Sequence, residues 1–193
     1  IHGMLLGVPG LKIVMPSTPY DAKGLLLSAI LDNNPVCVFE HRWLMKKDGV
    51  VPDGAYRVPI GKGIYRRRGS DLTIVGASHA IELAFQAATQ LASEGIDAEI
   101  IDLRTVKPMD EAIVLESLKK TGRIIAVDTA WMKGGVCAEI GCLAAEKGFS
   151  DLKAPVVRIG LPDIPTPAGY TLEQFYYPDA AHIADAARRL VRS

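Results

Sequence analysis

The sequence predicts an α/β fold, a mostly parallel sheet flanked by helices and preceded by a partial second α/β domain. Three observations carry this. Short apolar runs alternate with segments of helical periodicity along most of the chain. The repeated strand–helix order is that of a parallel sheet covered on both faces. Residues 42–69 break the pattern with charged residues and with Gly49, Pro52, Gly54, Pro59, Gly61, Gly63 and Gly69. That stretch reads as a linker and divides the chain into residues 1–60 and 61–193.

Taken in order, Leu11–Met15 is a β-branched run ended by Pro16, and Ser17 and Thr18 cap a helix with Pro19 in its first turn. That helix extends to about Leu31, with Ala22, Leu25, Leu26, Ala29 and Ile30 three and four apart. Asp32-Asn33-Asn34-Pro35 stops it, because the residue before proline avoids helical angles. Val36–Phe39 is a continuous apolar run, as in a buried parallel strand. Short strands are expected within the linker near Tyr56–Pro59 and Gly63–Arg66.

Beyond the linker, Leu72–Val75, Ala98–Leu103, Arg123–Val127 and Pro155–Ile159 read as strands. Between them lie helices from His79 to Glu94, from Pro108 and Asp110 to Gly122, and from Val136 to Lys147. Gly95 and Gly122 are placed as helix stops. Pro162–Pro167 is read as a surface loop, and Pro178 and Asp179 open a last helix ending near Arg192.

Composition narrows the function classes. The chain has 22 basic and 22 acidic residues, so it lacks the surplus Lys and Arg of a nucleic-acid-binding surface. The longest basic run, Arg66-Arg67-Arg68, is read as a solvated strand end or turn. No apolar stretch approaches the roughly 20 residues of a membrane span, so no membrane partner is expected. Cys37, Cys137 and Cys142 are odd in number and lie in apolar runs, which suggests reduced core thiols and a cytoplasmic setting. The chain opens at Ile1 on an apolar run with no polar lead-in, so a start inside a larger protein is expected.

Chemistry-bearing residues are scattered. Cys137 and Cys142 are five apart on a helix and do not share a face well, which argues against zinc. His41 follows Glu40 at the C-terminal end of an expected parallel strand, and His79 opens a helix after another. Both are places where α/β sheets hold ligands and where polar turn residues are also common. His182, in the first turn of the last helix, reads as a surface residue. Asp102 and Asp128 lie at strand C-terminal ends, where an aspartate can polarise a partner or simply cap a turn. Gly134-Gly135 presents backbone N–H groups at a helix start, as an anion site or as the tightest turn that lets the helix pack. The helix end at Ala29-Ile30-Leu31-Asp32-Asn33-Asn34 points free carbonyls together. Such carbonyls ordinarily meet water; a hard monovalent cation is the sharper reading.

The order of several motifs carries a resemblance. Val8-Pro9-Gly10-Leu11-Lys12-Ile13-Val14-Met15-Pro16-Ser17 is followed by Asp21-Ala22-Lys23-Gly24-Leu25-Leu26, Asp32-Asn33-Asn34-Pro35-Val36 and Phe39-Glu40-His41. Downstream come Asp102-Leu103-Arg104-Thr105, Pro108-Met109-Asp110, Gly134-Gly135 with Ala138-Glu139-Ile140, Pro162-Asp163-Ile164-Pro165-Thr166-Pro167 and Tyr177-Pro178-Asp179. In this order they resemble the beta subunit of thiamine-diphosphate-dependent 2-oxo acid dehydrogenases. Transketolase-type enzymes share the C-terminal domain more distantly.

The resemblance implies that residues 1–60 are the end of a pyrimidine-binding domain plus linker, and 61–193 a transketolase C-terminal domain. It implies oxidative decarboxylation of a 2-oxo acid, with thiamine diphosphate and magnesium in the full enzyme and acyl transfer to a lipoyl group. The implied partners are the alpha subunit of the E1 component, the E2 acyltransferase core and a second beta subunit. The family's activating glutamate and its beta-subunit histidine match positions upstream of Ile1, so His2 does not inherit that role. No catalytic or cofactor-binding residue is assigned, and the chain alone is expected to be inactive. Some members bind potassium through helix-end carbonyls, which match Ala29, Ile30, Asp32 and Asn34 here, with Leu31 where an arginine is common. The alternatives are a portion of a transketolase or a deoxyxylulose-phosphate-synthase-like enzyme, and a non-catalytic α/β interaction module.

Overall fold

A computed structural model describes residues 2–193. Two sheets form it. The smaller has three strands in the order β2 (Val36–Val38), β1 (Lys12–Val14), β6 (Thr105–Lys107). β1 and β2 are parallel, with Ile13 opposite Cys37, and β6 closes the other edge antiparallel. The larger sheet runs β3 (Ile64–Arg67), β5 (Ala98–Asp102), β4 (Leu72–Gly76), β7 (Ile124–Trp131), β8 (Val157–Leu161). Its last four strands are parallel, and β3 lies antiparallel on the edge beside β5.

Alternation of side chains places successive residues of the central strands on opposite faces. Leu72, Ile74, Ile100, Ile125 and Val127 meet α3 (His79–Ser93) and α7 (Ala180–Arg192) on one side. Val75, Ile101, Ile124 and Ala126 meet α4 (Glu111–Thr121) and α5 (Val136–Lys147) on the other. Ile13 and Met15 of the smaller sheet join this second core, so one hydrophobic cluster spans both sheets. α2 (Pro19–Ile30) covers the smaller sheet through Leu25, which packs with Val14 and Val58. Thr18 caps α2 by accepting the Asp21 N–H at 3.1 Å.

The structure corrects several expectations. Tyr56–Pro59 forms no strand; Val58 is buried beside α2, and its N–H donates to the Gly24 carbonyl at 3.1 Å. Its apolar character serves a loop-to-helix contact, which local pattern does not distinguish from a strand. α1 (His2–Leu6), β6 and α6 (Tyr170–Tyr176) are short elements that periodicity missed. β7 continues to Trp131, beyond the expected end at Val127, with its register against β8 shifting on the way. Cys137 is buried, but Cys142 is exposed on the outer face of α5 and is not a core thiol. Arg66 is not solvated; it enters a buried ion cluster.

Candidate functional site

Two places gather the chemistry-bearing residues. The first is the seam between the sheets. Asp21, in the first turn of α2, and Asp102, at the end of β5, are both fully buried. The Arg66 guanidinium binds both carboxylates, donating to Asp102 at 2.9–3.0 Å, and Arg104 donates to Asp21 at 3.3 Å. Burial pushes the Asp102 carboxyl up, against the pull of the Arg66 charge beside it. Arg104 holds a left-handed backbone (φ 55°), and its carbonyl accepts the Met15 N–H at 2.7 Å. That turn carries the chain from β5 in one sheet to β6 in the other. Asp102 therefore acts within the fold, tying β5 to β3 and to the residues ahead of α2.

The second place is a crevice at the C-terminal ends of β2, β4, β7 and β8. A cavity of about 300 Å³ opens there, walled by Phe39 after β2, Ser78 after β4, Trp131 in β7, Leu161 in β8 and Tyr177. His2 is buried against it, with Nε2 2.8 Å from Oδ2 of Asp128 and its ring edge-on to Phe39. His41 and His79 stack with centroids 4.7 Å apart and 19° between planes. Trp43 meets both rings and Tyr177. Burial, and then the neighbouring His41, lowers the His79 pKa to about 4; burial lowers His41 while Asp128 opposes the shift. The stacked pair is thus neutral near pH 7.

The remaining expected positions resolve individually. His182 is exposed and completes a capping box with Asp179 at the start of α7. Gly134 has φ 61°, and a Cβ on Gly135 would sit 2.6 Å from the Trp131 carbonyl oxygen, so this pair is required by the turn and by close packing. Ala29 and Ile30 end α2, and Leu31 follows as its cap. The Ala29 carbonyl accepts the Asp32 N–H at 3.3 Å. Asp32 accepts from the Lys12 ammonium at 2.6 Å and from Asn34, and these contacts, Lys12 first, bring its pKa down to about 2. The Asp32 carboxylate is therefore already matched to a cation. Among the described residues no group of three or more His, Cys, Asp or Glu side chains is arranged to hold a metal ion.

Sequence reasoning missed the His2–Asp128 pair, whose members lie 126 positions apart, and the conformation of Ser78. Ser78 stands at the N-cap position of α3, where serine is favoured, yet it makes no capping bond and adopts φ 55°, ψ −130°. No local signal marks either feature.

Comparison with known proteins bears on the whole chain. Residues 61–183 match the family model described as transketolase, C-terminal domain, and residues 2–47 match that of the transketolase pyrimidine binding domain. The beta subunit of an acetoin:2,6-dichlorophenolindophenol oxidoreductase from Cupriavidus necator is 46% identical over 185 residues, which are 96% of this chain and 55% of that protein. From Bacillus subtilis, the 2-oxoisovalerate dehydrogenase subunit beta is 39% identical over 98% of this chain and 59% of its own length. The pyruvate dehydrogenase E1 component subunit beta of that organism is 38% identical over 99% and 59%. The chain thus spans little more than half the length of these relatives. Among solved structures, a split-gene transketolase described as an inactive beta4 tetramer superposes with a TM-score of 0.82 at 22% identity, over 98% of this chain and 60% of that one. A transketolase variant from Pichia stipitis gives 0.65 at 17% identity, over 99% of this chain and 26% of that one. These two likenesses show the fold.

Proposed function

The chain belongs to the transketolase C-terminal domain family, and from that premise we propose that it serves as a portion of the beta subunit of a thiamine-diphosphate-dependent 2-oxo acid dehydrogenase. One observation carries the reading: two family models match in the order of such a subunit, and beta subunits of these enzymes align over nearly all of this chain at 38–46% identity. In this reading residues 1–60 form the end of the pyrimidine-binding domain and 61–193 the C-terminal domain. The piece works in assembly and in docking of the E2 acyltransferase core. Its further partners are the alpha subunit and a second beta subunit.

The full enzyme would use thiamine diphosphate with magnesium, which together supply the carbanion chemistry of decarboxylation. We assign no residue of this chain to their site, and no step of the reaction to it. A potassium ion would be held by main-chain carbonyls of Ala29, Ile30, Asp32 and Asn34, at the end of α2. Asp32 would contribute its main-chain carbonyl, since its carboxylate is already paired with Lys12. We place the protein in the cytoplasm on its three unpaired thiols; no helix among the described residues is long and apolar enough to cross a membrane.

A second reading concerns the substrate. The 46% identity to an acetoin oxidoreductase subunit makes acetoin a second candidate beside a 2-oxo acid. One experiment tests both. The purified chain, with thiamine diphosphate, magnesium and a redox dye, is offered pyruvate, 2-oxoisovalerate or acetoin, alone and with a cognate alpha subunit. The chain alone should reduce no dye, and it should be retained by the tagged alpha subunit. Turnover of a 2-oxo acid by the chain alone would overturn the reading, as would failure to bind any alpha subunit.

A further inference from the structure

The crevice outside the larger sheet has the features of a ligand site in its own right. β4 pairs with β5 on one side and with β7 on the other, so successive connections leave it in opposite directions. Open α/β sheets bind ligands outside the strand ends at such a switch point. Here the turn after β4 delivers the N-terminus of α3, a helix of 15 residues, to the cavity wall. First-turn N–H groups have no intrahelical partner and attract negative charge.

The second observation is Ser78 itself. It is 1% exposed, and its Oγ has no hydrogen-bond partner. At a helix start a serine normally turns back to accept a first-turn N–H. With φ 55° and ψ −130° this one does not, and the Ile81 N–H donates instead to the Ser78 carbonyl at 3.1 Å, so the Ser78 hydroxyl and the amides of His79 and Ala80 are left over beside the cavity. Buried polar groups are rarely left without a partner, and non-glycine residues in this backbone region concentrate at binding sites.

The walls define what would satisfy these donors. Phe39, Trp131, Leu161 and Tyr177 are apolar or aromatic, and no Lys or Arg lines the cavity. A phosphate group calls for charge-assisted partners of that kind. Asp128 is already paired with His2, and Glu40 sits exposed at the rim, where it opposes a second negative charge on a ligand. The head group is therefore singly charged and accepts hydrogen bonds, and the remainder is small and hydrophobic. We propose that this crevice binds a short-chain aliphatic monocarboxylate, its carboxylate on Ser78 Oγ and the α3 amides and its chain against Phe39, Trp131 and Leu161. This proposal does not depend on the enzymatic reading above.

The test uses the purified chain carrying Trp43→Phe, which leaves Trp131 in the cavity wall as the reporter. Isovalerate is the probe, with inorganic phosphate and succinate as comparisons. Titration with isovalerate should quench or shift Trp131 fluorescence to saturation, while phosphate and succinate neither do so nor displace it. Ser78→Gly tolerates the positive φ; it should keep the fold, raise the melting temperature and weaken isovalerate binding at least tenfold. Ala130→Leu, which adds bulk in the cavity, should abolish binding with an unchanged circular dichroism spectrum. A response that never saturates, equal binding of phosphate, or unaltered affinity in Ser78→Gly would each overturn the proposal.

Discussion

His79 shows how burial changes the behaviour of one side chain. Its ring is stacked on His41 and edge-on to Trp43, and desolvation together with its neighbour lowers its pKa from 6.5 to about 4. In the unfolded chain the ring takes up a proton as pH falls through 6.5; in the folded chain it does not until about 4. Between those values the unfolded state binds more protons, so the His79 contribution to stability declines as pH drops across the window. Melting temperature measured from pH 7 to 4 should fall, and His79→Phe, which keeps an aromatic ring in the stack, should fall less steeply. Identical slopes for the two proteins would show that the ring titrates normally in the fold. His79 was noticed in the sequence for its place after a strand; its neutrality depends on His41 and Trp43, which lie in another segment.

At the scale of an element, α2 illustrates a conflict between propensity and packing. Gly24 lies inside the helix, where alanine is favoured by about 1 kcal/mol. Yet a Cβ at that position would lie 2.5 Å from Cγ2 of Val58 and 2.9 Å from Cε2 of Tyr56. The Gly24 carbonyl also accepts the Val58 N–H, so the two segments cannot separate without losing a bond. Packing wins: Gly24→Ala should lower stability by about 1–3 kcal/mol in urea unfolding. Adding Val58→Ala, which removes the nearest obstacle, should recover part of the loss relative to Val58→Ala alone. A stabilised Gly24→Ala protein would mean that the loop at Tyr56–Val58 yields. The contact also explains why an apolar stretch expected as a strand stays a loop.

For the whole molecule, the deciding feature is the way the sheets are joined. A shared hydrophobic cluster spans them, Arg104 redirects the chain so that β6 enters the smaller sheet, and Arg66 binds Asp21 from one side and Asp102 from the other. Removing one member of a buried ion group leaves charge without compensation, which costs more than the group contributes. Arg66→Met should therefore lower unfolding free energy by about 3 kcal/mol in urea denaturation. Combined with Asp102→Leu, the loss should be smaller than the sum of the two single changes. Additive losses would show that the cluster is not coupled.

Much of this architecture was readable in the residues themselves. The alternation of apolar runs with helical periodicity marked four strands of the larger sheet and its long helices, because those signals are local and repeat over many residues, and the fifth strand, β3, lies where a short strand was expected near Gly63–Arg66. Gly122, at φ 74°, ends α4 where its lack of a side chain said it should. The helix end at Ala29–Asn34 and the strand-end position of Asp102 were likewise visible, whereas Asp128, expected at a strand end, lies inside β7 because that strand runs on to Trp131. What tertiary structure alone decided is which of these groups meet. The pairing of His2 with Asp128, the stacking of His41 on His79 and the ion pairs of Arg66 with Asp21 and Asp102 all join segments far apart in the chain. Each is set by the free energy of desolvating a polar group beside a particular neighbour, a quantity that exists only once the chain has brought that neighbour into place.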